Sequence, residues 1–158
     1  MRVLLVDDDD SLRRALVRTL HRARFEVEAF KSVEALLVRG VPEHDACLVL
    51  DVDLPGIGGI EFKHALAQAG RDLPTIFITA LEPAEVSEPL AALAPVAVLY
   101  KPFNKKDLLE AIERAGDQRH CAQDAPARPR RQPLIQNKDP DAASPRLRPH
   151  GKRRARLQ

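Results

Sequence analysis

The sequence predicts an α/β fold: a three-layer, doubly wound, five-stranded parallel sheet followed by a polar C-terminal tail. Three observations predict it. Short runs rich in Val, Leu and Ile ("RVLLV", "ACLVLD", "TIFITA") are apolar throughout, which suits strands buried on both faces. Stretches with apolar residues three and four apart lie between them, as amphipathic helices require. The 158 residues, 44% of them hydrophobic, suffice for one ordinary core. Strands alternating with helices at these lengths call for right-handed crossovers, so all strand ends fall on one side of the sheet.

Each element has its own justification. Residues 2–6, "RVLLV", form a strand that stops at four acids. Leu12, Ala15, Leu16, Thr19, Leu20 and Ala23 then recur at helical spacing with Arg13, Arg14, Arg18 and Arg22 opposite, and Asp10 or Ser11 is the expected cap. "FEVEAF", residues 25–30, alternates as a short strand does. "SVEALLVRG" reads as a helix opened by Ser32 and closed by Gly40. "ACLVLD", residues 46–51, is a buried strand ending in an acid. "LPGIGG" is a loop by its Pro and Gly content, and residues 60–70 carry Ile60, Phe62, Ala65 and Leu66 at roughly helical spacing. "TIFITA", residues 75–80, is another buried strand. Residues 81–95 hold the place of a helix, but Pro83, Pro89 and Pro95 predict a short or irregular element. "VAVLY", residues 96–100, is the last strand. "NKKDLLEAIERAG" is a marked helix, with Asn104 as cap, Asp107 at the capping-box position and Gly116 at the C-terminus.

The formal net charge of +2 conceals a division. Residues 117–158 hold 11 Lys and Arg against 4 Asp, a net of +7, whereas residues 1–116 carry a net of −5. The later segment has six prolines, no aromatic residue and no helical apolar period, a composition that predicts disorder. The expected organisation is therefore a folded domain over residues 1–116 and a basic, Pro- and Arg-rich tail over 117–158. No apolar run is long enough to span a bilayer, and "MRVLLV" is too short for the apolar region of a signal peptide, so membrane insertion is excluded and a cytoplasmic location expected. Cys47 and Cys121 lie in a strand and in the tail, without the spacing of a disulfide framework or a zinc site.

The run "DDDD" at residues 7–10 raises the question of function. Adjacent carboxylates at a strand end are costly unless some of them bind a cation; otherwise the run is a solvated turn leading into a helix. In a parallel α/β sheet, groups at the carboxyl ends of the strands converge in one crevice. The groups found there are Asp7 and Asp8 after the first strand, Asp51 after the third, Thr79 after the fourth and Lys101 after the fifth. Three carboxylates raise one another's pKa, and a divalent cation relieves the conflict. Mg²⁺ suits a few carboxylates, a backbone carbonyl and a phosphoryl oxygen, while Lys101 supplies a point charge and Thr79 a donor. Together these groups predict a phosphoryl-transfer site with a carboxylate nucleophile.

In order and spacing, "VDD", "LVLDVDLPGIGG", "FITA" and "YKPF" resemble the receiver domain of bacterial two-component response regulators, over about residues 1–116. That resemblance implies a flavodoxin-like, CheY-like fold and phosphorelay signalling. It makes Asp51 the phosphoacceptor, Asp8 a direct metal ligand, Asp7 a ligand through water, and the Asp53 backbone carbonyl the remaining protein ligand of Mg²⁺. It makes Thr79 the switch hydroxyl and Lys101 the partner of the phosphoryl group, and it implies a cis bond between Lys101 and Pro102. The family usually carries Tyr or Phe three positions before the lysine; here Val98 stands there, and Tyr100, on the same strand face, is a candidate substitute.

The partners implied are a sensor histidine kinase or phosphotransfer protein and a downstream protein bound on phosphorylation. As a phosphoacceptor the chain is expected to show only self-phosphotransfer and autodephosphorylation. "LVLDVDL" also resembles the nucleophile motif of haloacid dehalogenase-type phosphohydrolases, but the later acidic pair that those enzymes use for their metal is missing after Lys101. A transcription regulator acting through the basic tail is the other alternative. The composition of the tail favours a stand-alone receiver, with nucleic acid held weakly and by charge alone.

Overall fold

The structure, a computed structural model, describes residues 1–123. Ten elements alternate along the described residues: β1 (Arg2–Val6), α1 (Asp10–Arg22), β2 (Glu26–Phe30), α2 (Val33–Arg39), β3 (Ala46–Asp51), α3 (Gly59–Gln68), β4 (Thr75–Thr79), α4 (Pro83–Ala91), β5 (Ala97–Tyr100) and α5 (Lys105–Gln123). The strands form one parallel sheet in the order β2-β1-β3-β4-β5, the doubly wound architecture expected. No helix among the described residues is long and apolar enough to cross a membrane.

Alternation along the central strands divides the core in two. Leu4, Val6, Leu48, Leu50 and Phe77 point to one face, where Val33 and Leu36 of α2, Phe62 and Leu66 of α3, and Val86 and Leu90 of α4 cover them. Val3, Leu5, Cys47, Val49, Ile76 and Ile78 point to the other and meet Leu16 and Leu20 of α1 with Leu108, Ala111, Ile112 and Ala115 of α5. Strands β3 and β4 are buried from end to end. The chemistry is therefore confined to the carboxyl edge of the sheet, where the strands leave the core.

Most element bounds lie within two residues of expectation; three features differ. The cap of α1 is Asp9, not Asp10 or Ser11. Its backbone is extended, and its carboxylate accepts from the amides of Ser11 at 2.8 Å and Leu12 at 3.0 Å. Asp10 is the first helical residue and pairs with Arg13 and Arg14 one turn on.

The element over residues 81–95 is short, as expected, but its prolines do not break it. Pro83 occupies the first turn, where its missing N–H would have had no helical partner, and a reciprocal capping box between Glu82 and Glu85 opens the helix. The nine-residue helix accommodates Pro89 within it.

Gly116 does not end α5. The helix continues seven residues, to Gln123, so the division expected after residue 116 falls inside it. Gly40 and Gly70, at the ends of α2 and α3, have positive φ, and Gly116 does not. The disorder expected for the tail lies, from residue 124 onward, outside the described residues.

Candidate functional site

The four acids after β1 divide their tasks. The Asp7 side chain turns into the sheet edge and is fully buried, while Asp8 is exposed. Asp7 Oδ1 accepts from the Asp9 amide at 2.8 Å, and the Asp7 carbonyl accepts from Arg13 Nη1 at 2.7 Å. Asp9 caps α1, and the Leu12 amide, ahead of that of Ser11, holds its carboxyl below its ordinary value.

Asp51 ends β3 opposite Ile78 of β4 and is 3% exposed, so its carboxylate leaves the core at the centre of the edge. Its Oδ1 accepts from the Asp53 amide at 3.1 Å. Lys101, directly after β5, reaches back across the edge. Its Nζ lies 2.5 Å from Asp51 Oδ2 and 3.2 Å from Asp7 Oδ2. Burial raises the Asp51 carboxyl above its ordinary value, and the Asp7 charge adds to this; hydrogen bonds from Lys101 and the Asp53 amide oppose the rise without cancelling it. Burial works to lower the Lys101 ammonium, yet Asp51 and Asp7 overcome it and leave its pKa raised.

Asp7, Asp8 and Asp51 each offer a carboxylate oxygen, all within 4.8 Å of one another. This all-oxygen cluster, without thiol or imidazole, fits a hard cation such as Mg²⁺ better than a soft metal. Thr79 ends β4, fully buried, with its Oγ1 accepting from the Leu81 amide at 3.0 Å and its carbonyl accepting from the Lys101 amide at 2.7 Å. The Lys101–Pro102 peptide bond is cis, as expected. Val98 packs against the core cluster under α4, whereas Tyr100 is 36% exposed at the end of β5.

Two supporting residues escape sequence reasoning. Arg13 reads as one of several solvated arginines on α1, yet its guanidinium bridges the Asp7 carbonyl and the Asp10 carboxylate, the latter at 2.5 Å. Glu34 reads as an ordinary first-turn acid of α2, yet its Oε1 accepts from the Ile57 amide at 3.1 Å, in the loop after Asp51. Neither contact has a periodicity that would reveal it.

A parallel α/β sheet with an acidic, lysine-bridged crevice at its carboxyl edge is the architecture of a signalling receiver. A model of the response regulator receiver domain matches residues 3–113, and the chain belongs to that family, whose members act in two-component signalling. Nodulation protein W of Bradyrhizobium diazoefficiens is 36% identical over 110 residues, 70% of this chain and 48% of that protein. Response regulator receiver protein CpdR of Brucella abortus is 32% identical over 113 residues, 72% of this chain and 94% of CpdR. The solved structure of chemotaxis protein CheY4 of Vibrio cholerae is 28% identical, with a TM-score of 0.64, over 72% of this chain and 97% of that one. The chain spans about half the length of Nodulation protein W and of several other curated relatives.

Proposed function

We propose that this receiver accepts a phosphoryl group on Asp51 from the phosphohistidine of a sensor histidine kinase or phosphotransfer protein. The observation that carries the reading is the placement of Asp51, with Lys101 Nζ 2.5 Å from its Oδ2 and the Asp7 and Asp8 oxygens beside it. In the transfer, an Asp51 carboxylate oxygen forms a bond to phosphorus as the phosphorus–nitrogen bond breaks, and the imidazole leaves with its electron pair. Asp8, Asp51 and the Asp53 carbonyl would hold Mg²⁺ directly. Asp7, whose oxygens already accept from Asp9 and Lys101, would act through water. When bound, the metal neutralises charge growing on the phosphoryl oxygens. Lys101 pairs with the phosphoryl group, and the Thr79 hydroxyl leaves Leu81 to reach it.

The protein is a phosphoacceptor rather than a turnover enzyme. It signals by protein contact, in the cytoplasm; the similarity to CpdR, named a receiver protein and covered over 94% of its length, supports the receiver reading. Its basic tail attracts nucleic acid only weakly and through charge. The test is incubation with Mg²⁺ and acetyl phosphate, followed by intact mass. A single Mg²⁺-dependent adduct is expected in the natural chain and none in Asp51→Asn; an adduct kept by the variant overturns the assignment. Mg²⁺ at about a hundredfold excess over its dissociation constant should stabilise the natural chain by about 2.7 kcal/mol. Sustained hydrolysis of para-nitrophenyl phosphate would instead identify a phosphohydrolase.

A further inference from the structure

The loop between β3 and α3 is tied at both ends, by the Asp53 amide on Asp51 Oδ1 at 3.1 Å and by the Gly59 amide on the carbonyl of Val52, the residue after β3, at 3.1 Å. Between these ties the chain turns at Gly56, whose φ of 82° is left-handed. There the side chain of Glu34, from α2, fills the place of a loop residue's own side chain. A Cβ on Gly56 would lie 2.4 Å from Glu34 Oε1, and the same oxygen accepts from the Ile57 amide at 3.1 Å. The Glu34 carboxyl is held below its ordinary value, by its own backbone amide ahead of the Ile57 amide and the Ser32 hydroxyl, so it meets the loop ionised. Hydrogen bonds to an ionised acceptor are the stronger kind.

We propose that Glu34 is a positioning residue for the metal site: by fixing the Gly56–Ile57 corner it orients the Asp53 carbonyl for a divalent cation. The inference rests on the proposed function, since it takes the Asp53 carbonyl as a ligand. Glu34 touches neither metal nor phosphate; it acts through the loop. Groups that orient a metal's ligands without touching the ion commonly change affinity by about 10- to 100-fold when removed.

Calorimetric titration of Mg²⁺ into the natural chain, Glu34→Ala and Glu34→Gln tests this. Glu34 is exposed in the first turn of α2, where Ala keeps the helix. Glu34→Ala should weaken Mg²⁺ binding about tenfold. Glu34→Gln, whose amide oxygen can still accept from Ile57, should recover most of the loss. At saturating Mg²⁺, the acetyl phosphate labelling rate of Glu34→Ala should return to that of the natural chain. Equal affinity in Glu34→Ala and the natural chain overturns the inference alone. So does equal weakening in both variants, which would mean that only the negative charge matters. A natural chain that binds no Mg²⁺ overturns the proposed metal site, and this inference with it.

Discussion

Asp51 is held between burial, which disfavours its charge, and Lys101, which requires it. The balance leaves its folded pKa above the unfolded one, so the native state binds more protons. Stability is therefore lost as pH rises from the unfolded carboxyl range, about 4, through the folded value. Asn carries no such penalty. Asp51→Asn should raise the metal-free melting temperature at about pH 7, with the advantage disappearing as pH falls to about 4. Thermal melts in chelator across that range measure it, and a pH-independent difference would refute the burial argument. Lys101→Ala removes the cation shared by two buried carboxylates. Breaking a fully buried pair costs about 3–5 kcal/mol; the Lys101 side chain is 23% exposed, so about 2 kcal/mol is expected. Added Mg²⁺ should stabilise this variant more than the natural chain, because it supplies the missing charge. The convergence of Asp7, Asp8, Asp51 and Lys101 was legible because strand direction brings strand ends together whatever the side chains. Arg13 and Glu34 were not, since each acts through one bond to a backbone atom 6 or 23 residues away.

Two glycines of similar appearance in the sequence make opposite demands on their helices. Gly59 opens α3 pressed against the end of β3, where an added Cβ would lie 2.1 Å from the Asp51 carbonyl oxygen. Neither backbone can give way cheaply, so Gly59→Ala should cost about 3 kcal/mol in urea unfolding and disturb the end of β3 at Asp51. Gly116 lies inside α5 with helical neighbours on both sides, and among the described residues a Cβ there meets only Met1 Cε, at 3.7 Å. Gly116→Ala should stabilise by about 0.5–1 kcal/mol through helix propensity. A glycine closing the helix would show the reverse sign, so one urea titration decides between the two readings. In sequence, Gly116 resembles a stop because it follows the last apolar residue of the period. A stop depends on left-handed φ, which the sequence does not carry. For the same reason the caps of α1 were legible only to within a residue: any of three adjacent polar side chains can serve, and the extended backbone at Asp9 decides.

At the scale of the molecule, Ala115 is the last buried residue among those whose burial is described, and the core they form closes there. A chain ending at Gln123 should melt and accept phosphate as the full chain does. It would lose 10 Lys and Arg against 3 Asp and change from a net charge of +2 to −5, so salt-sensitive retention on DNA should disappear. A lowered melting temperature would show that residues beyond 123 pack on the receiver.

The Lys101 ammonium joins Asp51, 50 residues earlier, and Asp7, 94 residues earlier. Contacts this distant along the chain carry a loop-closure cost, and folds rich in them form more slowly. Lys101 follows β5, an edge strand that binds only to β4, so the crevice exists only once the fifth strand has docked. A nascent chain still lacking that strand has its acids but no ammonium between them. If Asp51 accepts phosphate as proposed, its labelling reports that β5 has docked, since only then does an ammonium stand beside that carboxylate.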